Sequence, residues 1–422
     1  MMYVIVLNEN MTRLGEFWLE AVVKNYARHS ASIVAAMLAA TVAVATHASE
    51  SKQAGPGTIG LAITTFRLAH YSGANDCPDG LTPLMPAQFL ASLPLDEQAR
   101  LSVAERDPEL VFRATTLPSG MDTSSTPYEA LALRENYPDT LVVQGDRSFG
   151  LDLDGSSNGD PTPTGIRPHV NFTGVNGEPG IDNELYRALG CSRHWRWDAR
   201  ANESVTDPFD DNDLSGFGAD NVRDGQSTML IEITGVDDHM NDSDVEVGFY
   251  VGLSPISLDA TNKLQAYTSQ TVDPNPLWQN RLRGRIVNSI LETEPADIRL
   301  RRTLVSIDAE TFFVGSRLRL ELRPDGSARG ILAGYEPIGK MYWPGPSLYR
   351  ANLAIGVKNP DPTYYRALYK YADAYPDAET GQYTAISMAR AINAVPAFIF
   401  HEPSREPVIT NVGPRSKTQV GN

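Results

Sequence analysis

The sequence predicts a mainly β protein: an antiparallel β-sandwich of jelly-roll or lectin-like type, with a short N-terminal helical excursion and a C-terminal helical segment. Two observations lead to this prediction. Apolar and polar residues alternate along many short runs, which is the pattern of a half-buried strand. Turns rich in Gly, Pro and Asp separate these runs, and strands at such spacing favour two packed sheets.

The chain of 422 residues is expected to divide into five parts. These are a signal peptide (1–48), a helical N-terminal segment packed on the body (58–135), a β-sandwich body (140–343), a C-terminal helical segment (344–401) and a disordered tail (402–422).

The first fifty residues resemble a secretory signal peptide. A basic start, an apolar stretch and small residues at the cleavage site follow one another: Lys24, Arg28 and His29, then Ser32–Val44, then Ala45 or Ala48. Met11 offers a second start. A membrane anchor is the alternative, but the apolar stretch is shorter than the roughly 20 residues that a spanning helix needs. We therefore expect export to the periplasm or the exterior, with no membrane attachment after cleavage.

The net charge restricts the classes of partner that we expect, and the cysteine content predicts a disulfide. The formal net charge of −16 disfavours binding to nucleic acid. Export exposes thiols to oxidation, and the mature chain has two cysteines, Cys77 and Cys191, which we expect to form a disulfide. Two separate buried thiols are the alternative.

The segment before the body mixes strand and helix patterns. Thr58 to Ala69 alternates as a strand does, and Pro86 to Arg113 changes to helical spacing, with Phe89 and Leu90 on one face. Thr140 to Gly145 is a further predicted strand that leads into the body.

The body contains the clearest strand patterns. A predicted hairpin pairs Ser227 to Gly235 with Val245 to Leu253 across a polar turn. Further strands are predicted at Leu282 to Leu291, Ile298 to Ile307, Phe312 to Leu322 and Ser327 to Gly334. In one of them Arg317 and Arg319 should face water while Leu318 and Leu320 face the core.

The last hundred residues change to helical patterns. A helix should begin at Pro362 and pack a stripe of tyrosines that includes Tyr365 and Tyr369. Tyr383 to Ala394 predicts a second helix, followed by a short apolar segment from Ala397 to His401.

The stretch from Gly150 to Cys191 holds the best candidate metal site. Hard cations such as Ca²⁺ take six to eight oxygen ligands. Closely spaced carboxylates and an amide beside a strand could supply them, and the predicted ligands are Asp152, Asp154, Asn158 and Asp160. Secondary acidic loops contain Asp210, Asp211, Asp213, Asp237, Asp242 and Asp244. Ca²⁺ is the one cofactor that the sequence suggests.

Other polar residues of this stretch receive structural interpretations. Asp182 precedes a helical run that ends near Gly190, so we expect it to cap that helix. Ser157 lies in a GxSxG match, but Pro161 follows where a nucleophile elbow needs a helix. His169 and His194 could together bind zinc, although isolated loop histidines are usually solvated. No residue is assigned a catalytic role.

Three segments, GLDLDG, GEPGIDNELYRALGC and YPDAETGQYTAIS, resemble an uncharacterised family of exported bacterial proteins. The resemblance spans much of the mature chain. It implies no activity and supplies no catalytic residues.

The leading functional hypothesis is a non-enzymatic exported protein, with or without bound Ca²⁺, that binds carbohydrate or another cell-surface ligand. The first alternative is a secreted glycosidase-like hydrolase with a carboxylate pair such as Glu232 and Glu246, since glycosidase acids come from many places in a fold. The second alternative is a purely structural envelope protein.

Overall fold

The centre of the fold is an eleven-stranded sheet, seen in a computed structural model of the protein. The structure describes residues 57–83, 85–101, 138–157, 162–198, 203–204, 207–209, 228–254, 257–261, 263–304, 307–342 and 362–402. The strands in these ranges are β1 (Ile59–Leu68), β2 (Arg147–Ser148), β3 (Thr173–Gly174), β4 (Trp197–Asp198), β5 (Glu203–Ser204), β6 (Met229–Thr234), β7 (Asn241–Val251), β8 (Thr268–Val272), β9 (Gln279–Val287), β10 (Ile290–Thr293), β11 (Ala296–Leu304), β12 (Ile307–Leu322), β13 (Ala328–Pro337), β14 (Ala374–Pro376) and β15 (Tyr383–His401).

Within the described residues, eight strands of the sheet close into a ring. Their order is β1-β6-β7-β9-β10-β12-β13-β15, and β15 pairs back onto β1. All neighbours in the ring are antiparallel. The mainly β, antiparallel class is therefore confirmed. The strands form one closed sheet, however, and not the two packed sheets of a sandwich, because closure satisfies the strand edges without a second sheet.

The alternation seen in the sequence produces the hydrophobic core. Leu318 and Leu320 of β12 are buried with at most 1% of their surface exposed, while Arg317 and Arg319 point to the other, wetter face. This orientation confirms the prediction for β12. The ring draws β1 and β15 from outside the range 140–343, so both ends of the described chain contribute to one core.

Short helices surround the sheet. They are α1 (Met85–Ala91), α2 (Leu95–Arg100), α3 (Glu184–Leu189), α4 (Arg193–Arg196), α5 (Ile338–Tyr342) and α6 (Pro362–Tyr371). The predicted N-terminal excursion is present as α1 and α2. Leu185 of α3 and Leu368 of α6 are buried in the same core as the strands, and Tyr365 and Tyr369 pack at its border. The tyrosine stripe of α6 thus serves packing, as predicted.

The predicted helix at Tyr383 to Ala394 is wrong, because these residues belong to the nineteen-residue strand β15. One face of β15 buries Ile386 and Met388 in the main core. The other face buries Ala389 and Ala391 in a second cluster. A strand buried on both faces loses its polar alternation, so its apolar residues fit a helical spacing equally well.

The predicted strand at Thr140 to Gly145 is also wrong. These residues run without a strand partner, and their N–H groups donate to scattered acceptors. Leu141 donates to the Thr82 hydroxyl at 2.7 Å, and Val143 donates to the carbonyl of Arg187 at 3.0 Å. The backbone of this stretch therefore forms its hydrogen bonds in a loop, although its composition is typical of a strand.

The predicted hairpin of the body is present, because β6 and β7 pair antiparallel. The prediction of one strand from Leu282 to Leu291 is wrong, because a tight turn divides these residues between β9 and β10. Asn288 and Ser289 form this turn with φ values of 50° and 62°. Two successive positive φ values are typical of the two-residue turn whose twist matches that of the flanking strands.

Several predictions concern parts of the chain outside the described residues. These are the signal peptide with its cleavage near Ala45 or Ala48, the segment 102–137, and the tail from residue 403. Among the described helices, none combines the length and apolarity that crossing a membrane requires.

Cys77 and Cys191 form a disulfide with a Cα–Cα distance of 5.6 Å, which confirms the predicted bridge. The bridge joins the segment after β1 to the residue that follows α3 and Gly190. A buried hydrogen bond from the Tyr186 hydroxyl to Asp76 Oδ2, 2.8 Å long, reinforces the same junction. The N-terminal segment is therefore fixed to the candidate site region by a covalent bond and a polar contact.

Removing the bridge should destabilise the protein measurably. The two cysteines are 114 residues apart, and a loop of this length corresponds to at most about 4 to 5 kcal/mol in the chain-entropy account. We expect urea unfolding of a Cys77→Ser, Cys191→Ser double variant to give a lower free energy of unfolding than that of the wild type. An unchanged unfolding free energy, or two free thiols in the native wild-type protein by mass spectrometry, would contradict the expectation.

Candidate metal centre

The loop that begins at Leu151 lies against the segment that ends at Asp182. Leu151 and Asp182 form an antiparallel bridge, in which the Asp182 N–H donates to the Leu151 carbonyl at 3.1 Å. Phe172 and Ile181 form a second antiparallel bridge that shapes the same segment. Two regions that are far apart in the sequence are thereby held side by side.

The loop itself is a compact turn stabilised by its own carboxylates. Asp152 Oδ1 accepts from the Gly155 N–H at 2.6 Å, and Asp154 Oδ1 accepts from the N–H and hydroxyl of Ser156 at 2.8 and 2.7 Å. Gly155 has a φ of +75°, a conformation in which other side chains are strained. Each aspartate uses one oxygen to hold the turn, so its second oxygen remains for another role.

Three carboxylates converge at this turn. One oxygen each of Asp152, Asp154 and Asp182 lies within 4.8 Å of the other two, and the described residues contain no other comparable group. Asp182 is fully buried, and Asp152 and Asp154 are half-buried. Asp154 Oδ2 is shielded from solvent and has no hydrogen-bond partner. A buried carboxylate oxygen without a donor is unfavourable unless a cation or proton compensates it.

Gly180 makes room for the cluster. A Cβ at this position would lie 2.9 Å from the Ser156 carbonyl oxygen and 3.5 Å from Asp152 Oδ2. The residue also has a φ of +77°. Because glycine has no side chain, the segment before Asp182 can lie in close contact with the turn.

Asp182 is anchored by donors from several directions. Its Oδ2 accepts from the N–H of Leu153 at 2.7 Å and, at 3.4 Å, from that of Asp154. Its Oδ1 is 2.9 Å from His169 Nε2 and accepts from Asn171 Nδ2 at the same distance. This side chain links the turn at residues 152–156 to the segment 169–171.

The expectation that Asp182 caps a helix is therefore wrong. Asn183 is the residue before α3, and its side-chain oxygen accepts from the Tyr186 N–H at 3.2 Å. Asparagine caps helices as well as aspartate does, so either residue of the Asp-Asn pair fitted the sequence pattern. Gly190 ends α3 as predicted.

His169 supplies positive charge beside the carboxylates. Burial lowers its pKa, but the hydrogen bond to Asp182, the contact with the Arg167 carbonyl and the charges of Asp373 and Glu184 together raise it to about 9. The side chain is 8% exposed. The raised pKa therefore favours the imidazolium form of His169 as the partner of Asp182 at neutral pH.

Two further carboxyl groups nearby, Asp152 and Asp373, have raised pKa values. Burial raises the pKa of Asp152, and the charges of Asp182 and Asp154 act in the same direction against the Gly155 N–H and Arg317. Burial also raises the pKa of Asp373 to about 7, although its Oδ1 accepts from the Ser387 N–H at 2.7 Å. The region is thus crowded with negative charge.

The remaining predicted ligands fall into two groups. Asn158 and Asp160, with Asp210, Asp211 and Asp213 of the secondary loops, lie outside the described residues. Asp242 accepts from the N–H groups of Asp237 and Asp244 at 2.7 and 3.1 Å, and Asp244 is 3.0 Å from Arg283. These three acids stabilise a turn and an exposed ion pair.

An open cleft of about 570 Å³ adjoins the carboxylate cluster and shares Asp152 with it. One wall is the loop around Asp152 and Glu178, and the other is the outer face of the sheet. The lining residues are Leu151, Asp152, Glu178, Pro179, Ile181, Ser243, Asp244, Arg283, Gly284, Arg285, Glu292, Thr293, Glu294, Pro295, Arg317, Leu318 and Arg319.

The arginines of the cleft are held in place by neighbouring acids and carbonyls. Arg317 Nη1 donates to the Asp152 carbonyl at 3.1 Å, and its Nε is buried without a hydrogen-bond partner. Arg319 lies 3.6 Å from Glu178 and 3.5 Å from Glu292. Because strands alternate, these side chains project from the face opposite the core.

Sequence reasoning identified Asp152 and Asp154 but missed Asp182 and the cleft. The signal for Asp182 was its neighbour, since Asn183 can cap α3 alone and leaves Asp182 for another role. The cleft depends on pairing between distant strands, which no local pattern reveals. Ser157 is exposed, and the His194 side chain lies outside the described atoms.

The charge of His169 should make stability depend on pH. Its folded pKa of about 9 lies above the ordinary 6.5, so its contribution is complete below about pH 6.5 and is lost as pH rises through 9. The loss should be on the order of 2 to 3 kcal/mol. We expect urea unfolding to show this fall for the wild type between pH 6 and pH 9.5, relative to His169→Gln. A constant difference between the two proteins would contradict the assignment.

Comparison of the chain with family models, with curated proteins and with solved structures found no match.

Proposed function

We propose that this chain is an exported, non-enzymatic protein that binds Ca²⁺ at Asp152, Asp154 and Asp182 and binds carbohydrate in the adjoining cleft. The observation that carries the proposal is the convergence of three carboxylates at the wall of an open cleft that charged side chains line. The disulfide between Cys77 and Cys191 supports the expected export, because such bonds persist in oxidising compartments.

Ca²⁺ is the cation that the ligand chemistry favours. The converging atoms are all carboxylate oxygens, which suit hard cations, whereas zinc and copper sites use His and Cys. Three carboxyl groups lie close together beside the single imidazole of His169, so a divalent cation would relieve the repulsion between them. The carbonyl of Ser156 lies beside this space, and Asn158 and Asp160 remain predicted ligands. Ca²⁺ accepts such an irregular set, since its coordination geometry is flexible.

Carbohydrate is the ligand class that suits the cleft. Its lining includes five carboxylate side chains and four arginines, so donors and acceptors nearly balance. Each sugar hydroxyl both donates and accepts, and can pair with both kinds of group. The cleft volume of about 570 Å³ lies within the usual range for small-molecule sites. A bound cation would hold Asp152 and thereby fix the loop wall of the cleft.

The hydrolase alternative is less well supported by the geometry. Glu232 accepts a hydrogen bond from His401 Nε2 at 2.7 Å, and Glu246 forms an ion pair with Arg281. Both side chains lie on the outer face of the β6–β7 pair, where Glu232 is opposite Gly248 and Glu246 is opposite Thr234. Each carboxylate already has a structural partner, so the binding function remains our choice over the hydrolase and the purely structural alternative.

Ca²⁺ should stabilise the folded protein. A ligand at about a hundred times its dissociation constant adds roughly 2.7 kcal/mol if it binds only the folded state. We therefore expect a millimolar Ca²⁺ titration to raise the melting temperature of the wild type, and an Asp152→Asn, Asp154→Asn variant to lose this response.

The matched control is Asp259→Asn, Asp377→Asn, which changes the net charge equally at two exposed turns. This control should keep the full Ca²⁺ response. A wild-type melting temperature that does not change with Ca²⁺, or an undiminished shift in the Asp152 and Asp154 variant, would contradict the cation site.

Carbohydrate binding should depend on the cleft arginines. We expect binding to members of a glycan array in the presence of Ca²⁺, reduced about tenfold by an Arg317→Gln, Arg319→Gln variant that loses charge-assisted hydrogen bonds. Circular dichroism would check that the variant is folded. Array binding unaffected by these substitutions would place the ligand elsewhere, and release of reducing sugar from a bound glycan would favour the hydrolase.

A further inference from the structure

Two aromatic side chains are exposed side by side at the edge of the sheet formed by β8 and β15. Tyr267 precedes β8 and is 61% exposed, and Phe398 in β15 is 50% exposed. Their ring centroids are 6.3 Å apart, and the ring planes differ by 45°. Single exposed aromatics are common on protein surfaces, but two adjoining rings form a continuous apolar surface. We call these two side chains the aromatic platform.

The backbone of Tyr267 is held in an unfavourable conformation. Its φ of 58° lies in the left-handed region, which is rare for a bulky side chain. Two contacts fix the residue there: its N–H donates to the Pro396 carbonyl at 2.5 Å, and its hydroxyl donates to the Asp325 carbonyl at 3.4 Å. Strain of this kind persists only where the surroundings enforce it and is concentrated at functional positions.

The residues around the aromatic platform leave room for the Tyr267 side chain and hold Phe398 in its strand. Gly326 has a φ of +82°, and a Cβ there would lie 3.3 Å from the Pro396 ring and 3.4 Å from the Tyr267 hydroxyl. Phe398 is fixed by strand pairing, with Ser269 of β8 directly opposite it. The backbones that carry both rings are therefore fixed in the free protein, which lowers the entropy cost of binding.

Polar groups border the aromatic platform. Ser269 is exposed on the same face as Phe398, because its strand neighbour Gln270 is buried. Asp325 is exposed beside the hydroxyl of Tyr267. The hydroxyl and N–H of Ser327 donate to Asp325 and lower the pKa of its carboxyl group. An apolar centre is thus combined with a hydroxyl and a carboxylate at its rim.

We infer that the aromatic platform is a second saccharide-binding site, on which the C–H face of a sugar ring stacks while its hydroxyls bond to Ser269 and Asp325. Sugars with equatorial hydroxyls, as in β-1,4-linked glucose chains, expose such flat apolar faces. The inference rests on the proposed function only for the class of ligand, since the site shares no residue with the cleft.

Other occupants fit the aromatic platform less well. Two side chains form a much smaller surface than the roughly 800 Å² per partner that a stable protein interface buries. This comparison of surface areas covers only those residues around the two rings that the structure describes. A lipid surface is disfavoured because the net charge of −16 repels anionic headgroups.

The test uses cellohexaose as the probe and isothermal titration as the readout. Tyr267→Asn keeps a residue that tolerates positive φ, and Phe398→Thr keeps a residue that suits a strand. Each substitution should weaken binding about tenfold, which is typical for loss of one aromatic anchor. Tyr375→Asn is the matched control, because Tyr375 is also exposed, at 42%, and also has a positive φ of 55°. It should bind as the wild type does.

Each outcome bears on the inference separately from the proposed function. Wild-type protein that fails to bind millimolar cellohexaose overturns it, as does binding that neither platform substitution weakens. Cellohexaose binding that is lost only in Arg317→Gln, Arg319→Gln would leave the cleft as the sole saccharide site. A concentration-dependent dimer in sedimentation that Tyr267→Asn abolishes would assign the platform to self-association and also overturn the inference.

Discussion

With no surface exposed to water, the carboxylate of Asp182 has to find all its hydrogen bonds inside the protein. An unpaired buried charge is strongly destabilising, so its donors are a condition of folding. They come from the turn at Leu153 and from His169 and Asn171, which belong to different parts of the chain. The turn and the segment before α3 therefore have to assemble together, and they form the loop wall of the cleft.

The same constraint explains why the site has a charge imbalance. Asp182 draws Asp152 and Asp154 towards itself through the backbone N–H groups of the turn, although like charges repel at such distances. His169 balances one of them. The fold thus keeps two further carboxylates close together, at a cost that a bound cation would offset. For the proposed Ca²⁺, the carboxylates would be positioned by the protein before the ion binds, as effective metal sites require.

Local pattern predicted much of the fold and two of the three carboxylates in the candidate site. The alternation in β12 follows from short-range rules, and the strand predicted there is present. The turn at Asn288 and Ser289, which divides one predicted strand into β9 and β10, was missed. Closure of the sheet does not follow from such rules, because it depends on pairing between β1 and β15. The failure at β15 has a definite cause: burial of Ile386 on one face and Ala389 on the other removed the polar residues that reveal period-two alternation. Asp182 was missed since its role depends on a turn 28 residues earlier.

Closure of the ring also governs the order in which the chain can fold. Asn393 of β15 contacts Thr65 of β1 across 328 residues, so the seam forms only after nearly the whole described chain has been synthesised. Until then β1 and β13 each present an unpaired edge, which can template association with other chains. Pairings of such long range also slow folding, because a large loop must close before any contact rewards it. A partial chain that folds early would thus keep two unpaired edges. A chain that stays unfolded until β15 is available avoids association through those edges.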